Sequence, residues 1–330
     1  MSHGKVLVTG VPGWLGTRFV EMLTENNRDI RCLVLKGTDD SYLKSIGTET
    51  FQGDLTKPET LNGIAKDVDT VFHIAGIIHP GLFGIRDLYR INTYGTANIL
   101  EQAIGANVKR FVYISSNSST GCNTRRDELM NEYTPMRPYM KYGLSKLLAE
   151  RAVNQAYAMD RIETVILRPC WYYGPGQPER QTRLMKMVSR GKALLFGDGN
   201  NLRSMTYIEN LCDALILAEE KEIARGETYW IADSKPYSTL EIYQCIADIL
   251  GVELKTVKIP GALSELAMFG DGVLQALGVY QTEAHVAGEM NKNIACSIEK
   301  AKKDLGYAPK VGLTEGMERS IAWAKERSLL

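Results

Sequence analysis

The sequence predicts a doubly wound parallel α/β sheet followed by a smaller, irregular α/β region, and three observations carry that prediction. Short runs rich in Val, Ile and Phe alternate with helix-length stretches through the first half. A glycine triplet, TGVPGWLG at residues 9 to 16, follows the first of these runs directly. From about residue 169 Pro and Gly become dense and strand-like runs become sparse.

The strand-like runs are KVLVT (5 to 9), IRCLVL (30 to 35), ETFQG (49 to 53), DTVFHIA (69 to 75), RFVYIS (110 to 115) and ETVILR (163 to 168). Apolar runs without polar alternation read as strands buried on both faces, and their alternation with helices predicts parallel pairing. Helical periodicity is clearest over 88 to 104 and 140 to 157. The segments RPCWYYGPGQP and FGDGNN open a different grammar, so residues 1–168 read as a dinucleotide-binding domain. Residues 169–330 read as mainly substrate-binding and partly interleaved with it, since no Ser/Gly or Pro tract separates the halves. No internal repeat occurs at solenoid periods. The stretch PGALSELAMFGDGVLQALGVY, 260 to 280, reads as a pair of core helices, with a membrane-touching helix or a lid over a greasy substrate as alternatives.

Composition narrows the function. The 330 residues carry 39 Lys plus Arg against 39 Asp plus Glu, with no run of five like charges. A nucleic-acid or anionic-membrane partner therefore has no electrostatic footprint. A small-molecule substrate is the expected partner. Cys32, Cys122, Cys170, Cys212, Cys245 and Cys296 show no C-x-x-C spacing, and of four histidines only His73 and His79 lie close together. Reduced cysteines and no metal site follow. MSHGKVLVTG has no apolar signal region, and no apolar stretch approaches the roughly 18 residues of a spanning helix, so a cytoplasmic protein is expected.

The glycine triplet is the first chemical signal. Gly10, Gly13 and Gly16 would let the backbone turn tightly, approach a pyrophosphate and pack helix on strand, and Trp14 and Leu15, which open the helix, are expected to contact the cofactor with them. Helix N-terminal N–H groups and the positive dipole end suit that anion. A Rossmann-type cofactor site for NAD(P)(H) is expected. At the end of the second strand an acid would bind ribose hydroxyls and a base a 2′-phosphate. Leu35 and Lys36 stand there, while Asp39 and Asp40 come late, which leans to NADP(H).

A second signal, YGLSK at 142 to 146, is weak alone: 16 tyrosines and 20 lysines in 330 residues give about one Tyr-x-x-x-Lys by chance. Its company gives it meaning. TGVPGWLG, GDL (53 to 55), HIAG (73 to 76), INTYGTANIL (91 to 100), FVYISS (111 to 116), YGLSK, LRPCWYYGPG (167 to 176) and RSMTYIEN (203 to 210) occur in order. Across essentially its whole length the chain resembles the extended short-chain dehydrogenase/reductase family, which includes nucleotide-sugar epimerases and dehydratases and 3β-hydroxysteroid dehydrogenases. The resemblance implies that Tyr142 is the proton shuttle, that Lys146 holds the nicotinamide ribose, and that Ser116 hydrogen-bonds the reacting oxygen. Ser115 and Ser118 compete for the last role as turn caps. It further implies that Asn92 completes a proton relay, with an N-terminal helix or turn residue as the plain alternative. Asp54 would contact the adenine or simply cap a helix, and Leu55, Ala75 and Pro169 would line the cofactor.

Residue chemistry agrees. Positions four apart share a helix face, so Tyr142 and Lys146 point the same way. A free tyrosine titrates near pH ~10, and a nearby ammonium favours its phenolate. His73, at the end of an apolar strand, reads as a packed residue beside the cofactor rather than a base. No G-x-S-x-G elbow supports a hydrolase.

The reaction divides two ways. Asn117 and Ser118 stand where 4,6-dehydratases carry an acidic pair, which disfavours dehydration. Trp171 stands where nucleotide-sugar enzymes place an asparagine, which fits a less polar substrate. Arg203 matches the arginine that meets a nucleotide diphosphate, and its planar fork suits phosphate. The lead reading is a nucleotide-sugar epimerase, with NAD if so; the alternative is a net dehydrogenase or keto-reductase of a larger hydrophobic alcohol. A non-catalytic sensor on the same fold is a third, more remote reading. A homodimer paired through the helices near 88 to 104 and 140 to 157 is what the resemblance implies.

Overall fold

The computed structural model describes residues 4–330, apart from the side chain of Arg180. Thirteen strands are β1 (Val6–Thr9), β2 (Ile30–Val34), β3 (Glu49–Gln52), β4 (Thr70–His73), β5 (Arg110–Ile114), β6 (Glu163–Pro169), β7 (Trp171–Tyr173), β8 (Ala193–Phe196), β9 (Leu202–Arg203), β10 (Met205–Tyr207), β11 (Glu227–Ile231), β12 (Tyr237–Ser238) and β13 (Thr256–Ile259). Between them run α1 (Trp14–Glu25), α2 (Ser41–Ser45), α3 (Ile85–Asp87), α4 (Thr96–Gly105), α5 (Met140–Ala158), α6 (Glu179–Ser189), α7 (Ile208–Glu220) and α8 (Thr239–Leu250). The chain closes with α9 (Gly261–Ala276), α10 (Thr282–Glu289), α11 (Glu299–Leu305) and α12 (Leu313–Glu326).

Seven strands form one parallel sheet in the order β11-β6-β5-β4-β1-β2-β3. Successive side chains of a strand point to opposite faces, so both faces need an apolar cover. Val6, Val8, Phe72 and Val165 join the core beneath α1 and α7, and Leu7, Val71, Phe111 and Ile166 the core beneath α4 and α5. Strand order reverses between β1 and β4, which opens a crevice at the carboxyl ends of the strands. Three two-stranded pairs, β10-β7, β12-β9 and β13-β8, build the region beyond.

Three expectations need correction. The second half is richer in strands than its Pro and Gly content suggests, and β11 completes the main sheet beside β6. Strand β3 is not buried on both faces: it pairs only β2, and all four of its residues keep some exposure. The 260 to 280 stretch is no core pair. On α9 the buried residues are Ser264, Asp271 and Gln275, while Leu266 and Phe269 on the helix and Leu277 just after it are 65%, 70% and 75% exposed.

Candidate functional site

The crevice begins at the glycine loop. Gly10 has φ +88°, strained for any L side chain, and a Cβ there would lie 2.8 Å from the Ala75 nitrogen. A Cβ on Gly13 would meet the Gly10 carbonyl oxygen at 2.7 Å. No side chain caps α1, so its first N–H groups are left for an anion. The loop fits a dinucleotide pyrophosphate. Trp14 donates from Nε1 to the Pro175 carbonyl at 2.7 Å, and Leu15 enters the core, so both side chains serve packing.

At the end of β2, Leu35 and Lys36 are exposed. The carboxylates that follow are engaged locally: Asp39 accepts from the Ser41 hydroxyl at 2.6 Å, and Asp40 from Thr50 at 2.7 Å with Lys44 at 2.9 Å. Asp54 accepts the Thr56 N–H at 2.8 Å and its hydroxyl at 2.7 Å, holding the turn after β3, while Leu55 is buried against α4. Ala75 donates its N–H to Thr9 Oγ1 at 3.2 Å. His73 lies fully buried between Thr9 Oγ1 at 2.8 Å and Thr96 Oγ1 at 2.9 Å. Burial drives its pKa down to about 3, with the Lys146 charge adding to the fall. A neutral, clamped imidazole of this kind is part of the scaffold.

Tyr142, Lys146, Ser116 and Pro169 all line one cavity of about 520 Å³ at the strand ends. Helix α5 approaches closely because Gly143 has no side chain: a Cβ there would collide with the Ser118 carbonyl. Lys146 is buried, donates to the Ile114 carbonyl at 2.7 Å and lies 4.4 Å above the Tyr113 ring. Desolvation lowers its pKa to about 7, with Glu150 pulling the other way. Ser116 accepts the Ser118 N–H at 3.2 Å. Ser115, which also lines the cavity, donates its hydroxyl hydrogen to Glu150. Ser118 also lines the cavity.

Asn92 does not begin a helix. It sits within a π-helical stretch, Leu88–Gly95, that runs into α4. Its Oδ1 accepts the Ile77 N–H at 2.8 Å, and its Nδ2 donates to the Ile77 carbonyl at 2.9 Å and to Ser145 Oγ at 3.0 Å. The amide thus pins the segment after β4 to α5 beside Lys146. A Cβ at Gly76 would lie 3.1 Å from Asn92 Oδ1 and 3.7 Å from Lys146 Nζ.

Sequence reasoning missed the network that sets α5. Arg168 donates to Glu150 from Nε at 2.9 Å and from Nη2 at 2.6 Å, and Ser119 donates to the same carboxylate at 2.8 Å. Bidentate geometry and burial make this a precise clamp between β6, α5 and the serine turn. Its only trace in the sequence is Glu150, one turn beyond Lys146.

The far cavity wall is largely apolar, with Trp171, Met187, Ile242 and Met290 among its residues. Arg203 also lines it, is 8% exposed, and donates to the Glu289 carbonyl at 2.6 Å. Burial raises the pKa of the Glu289 carboxyl, opposed by His285 and Arg203. The described residues include no group of three or more His, Cys, Asp or Glu side chains placed to hold a metal ion. No helix among them is long and apolar enough to cross a membrane.

A parallel sheet with a glycine cradle at its switch point, and a buried tyrosine and lysine one helical turn apart in the crevice, define an NAD(P)-dependent enzyme of the extended short-chain type. The chain belongs to the 3-beta hydroxysteroid dehydrogenase/isomerase family, whose model matches residues 7–261. It is 41% identical to the uncharacterized protein y4nL of Sinorhizobium fredii, over 96% of this chain and 94% of that one. It is 28% identical to a UDP-glucose 4-epimerase of Vibrio cholerae, over 96% and 94%. Among solved structures it resembles MoeE5 in complex with UDP-glucuronic acid and NAD, at a TM-score of 0.77 and 25% identity, covering 98% of this chain and 100% of that one.

Proposed function

We propose that the protein moves hydride between a nicotinamide cofactor and a secondary alcohol or ketone carbon of a largely apolar substrate, as a net oxidoreductase. The observation that carries this reading is the apolar wall of the cavity that holds Tyr142, with Trp171 in it. A bound nicotinamide would supply or accept the hydride. Tyr142 passes the proton to or from the reacting oxygen, Lys146 favours the phenolate and binds the cofactor ribose, and Ser116 hydrogen-bonds that oxygen. Asn92 holds the cleft around them. Exposed Lys36 and the engaged Asp39 and Asp40 support NADP(H) over NAD(H).

A second reading, epimerisation of a nucleotide sugar with retained NAD, is supported by Arg203 in the cavity and by the similarity to a UDP-glucose 4-epimerase. The test is to purify the protein without added cofactor, denature it and identify any released nucleotide by mass. An empty site that binds NADPH more tightly than NADH supports net redox. Stoichiometric NAD supports epimerisation, and nucleotide sugars would then be screened for inversion.

A further inference from the structure

Beyond Tyr142 the cavity carries polar groups for which proton and hydride transfer have no use. His285 on α10 places Nδ1 2.8 Å from Oδ2 of Asp271 on α9. Gln275 donates to the same oxygen at 2.8 Å, and its Oε1 accepts the N–H of Lys141, the residue before Tyr142, at 3.0 Å. Asp271 is fully buried and its Oδ1 has no partner among the described residues. Burying a carboxylate this incompletely satisfied is costly. The same helix turns apolar side chains to solvent to do so, the reverse of the ordinary amphipathic arrangement. Such a violation of local rules points to a functional demand.

With Asp271 as acceptor the ring hydrogen sits on Nδ1, which leaves Nε2 to accept a hydrogen bond. No protein group among the described residues hydrogen-bonds Nε2, and the residue lines the cavity with Tyr142. The ring is held in place by neighbours: its centroid lies 5.2 Å from that of Tyr139, 5.4 Å from Tyr280 and 6.2 Å from His79. Tyr280 lies 2.6 Å from His79 Nδ1 through its hydroxyl and packs in one cluster with Tyr142. His285 and Tyr142 thus line one cavity.

We propose that His285, oriented by Asp271, accepts a hydrogen bond from a second hydroxyl of the substrate. The enzyme then selects alcohols and ketones that carry another hydroxyl a few carbons from the reacting carbon. This rests on the reading of Tyr142 as the site of proton transfer. His285 touches the substrate; Asp271 is a positioning residue.

The test measures the affinity of cofactor-loaded protein for ketones bearing a hydroxyl two to five carbons from the carbonyl, against the plain ketone of the same length. The wild type is expected to prefer one hydroxyketone about tenfold, the value of one hydrogen bond that is costly to leave unmade. The preference should vanish in His285→Phe and fall in Asp271→Asn, which no longer fixes the tautomer. Should His285→Phe fail to fold, Asp271→Asn and His285→Leu carry the comparison. A preference unchanged in these variants, or none in the wild type because both ketones bind alike or not at all, overturns the proposal. Tyr142→Phe should keep the preference and lose turnover; if it keeps turnover, the reading of Tyr142 falls whatever the preference.

Discussion

Single residues in this site are defined by what surrounds them. The role proposed for Tyr142 rests on Lys146, which follows one turn later and reaches the same cavity. Replacing Tyr142 by Phe should lower kcat by orders of magnitude while cofactor affinity, followed by fluorescence titration, stays near normal. His73 shows the opposite case, a histidine whose burial prevents protonation. Its folded pKa of about 3 lies below the ordinary value of 6.5, so between those values only the unfolded chain binds the proton. Stability from this residue is present above pH 6.5 and is lost as pH falls towards 3, by up to roughly 5 kcal/mol. Urea midpoints measured across that window should fall steeply in the wild type and more gently in His73→Asn. Equal slopes would mean that other groups govern acid unfolding.

Elements are held in register by a few buried contacts. Arg168 and Glu150 join β6 to α5, and both side chains are under a tenth exposed. Removing one partner leaves an uncompensated buried charge, so Arg168→Met should destabilise by about 3–5 kcal/mol in urea unfolding. The double variant with Glu150→Leu should recover part of that loss. Because the clamp also holds Ser115 and Ser119, the single variant should lower kcat more than it raises KM. Helix α9 carries the same lesson with reversed polarity: residues 260 to 280 look like core when read by composition. Which side of a helix meets the protein depends on partners elsewhere in the chain, here α10 and Lys141.

At the scale of the molecule, the cavity joins residues from both halves of the chain, which is why the proposed substrate site cannot be assigned to either half alone. If a nucleotide sugar is the substrate, Arg203→Ala should raise its KM at least tenfold and hardly change that of a neutral alcohol. Equal effects on both would remove Arg203 as the diphosphate contact. The homodimer implied by the family resemblance is tested by sedimentation equilibrium, with twice the 36.8 kDa chain mass as the expected result.

The sequence by itself determined the parallel sheet, the glycine cradle, the Tyr142 and Lys146 pair and the family, because each depends on local periodicity or on short contiguous motifs. Strands buried on both faces must be apolar, and a tight turn against a pyrophosphate must lack side chains. Tertiary structure alone decided that β11 closes the sheet, that Asn92 ties a loop rather than starting a helix, and that α9 faces inward with its polar side. It alone brought His285 and Tyr142, 143 residues apart in the chain, to one cavity, with Asp271 buried behind His285. Hydrogen bonds and packing across such separations leave no periodic trace in the chain. They come into being only when the sheet and its helices close around the crevice.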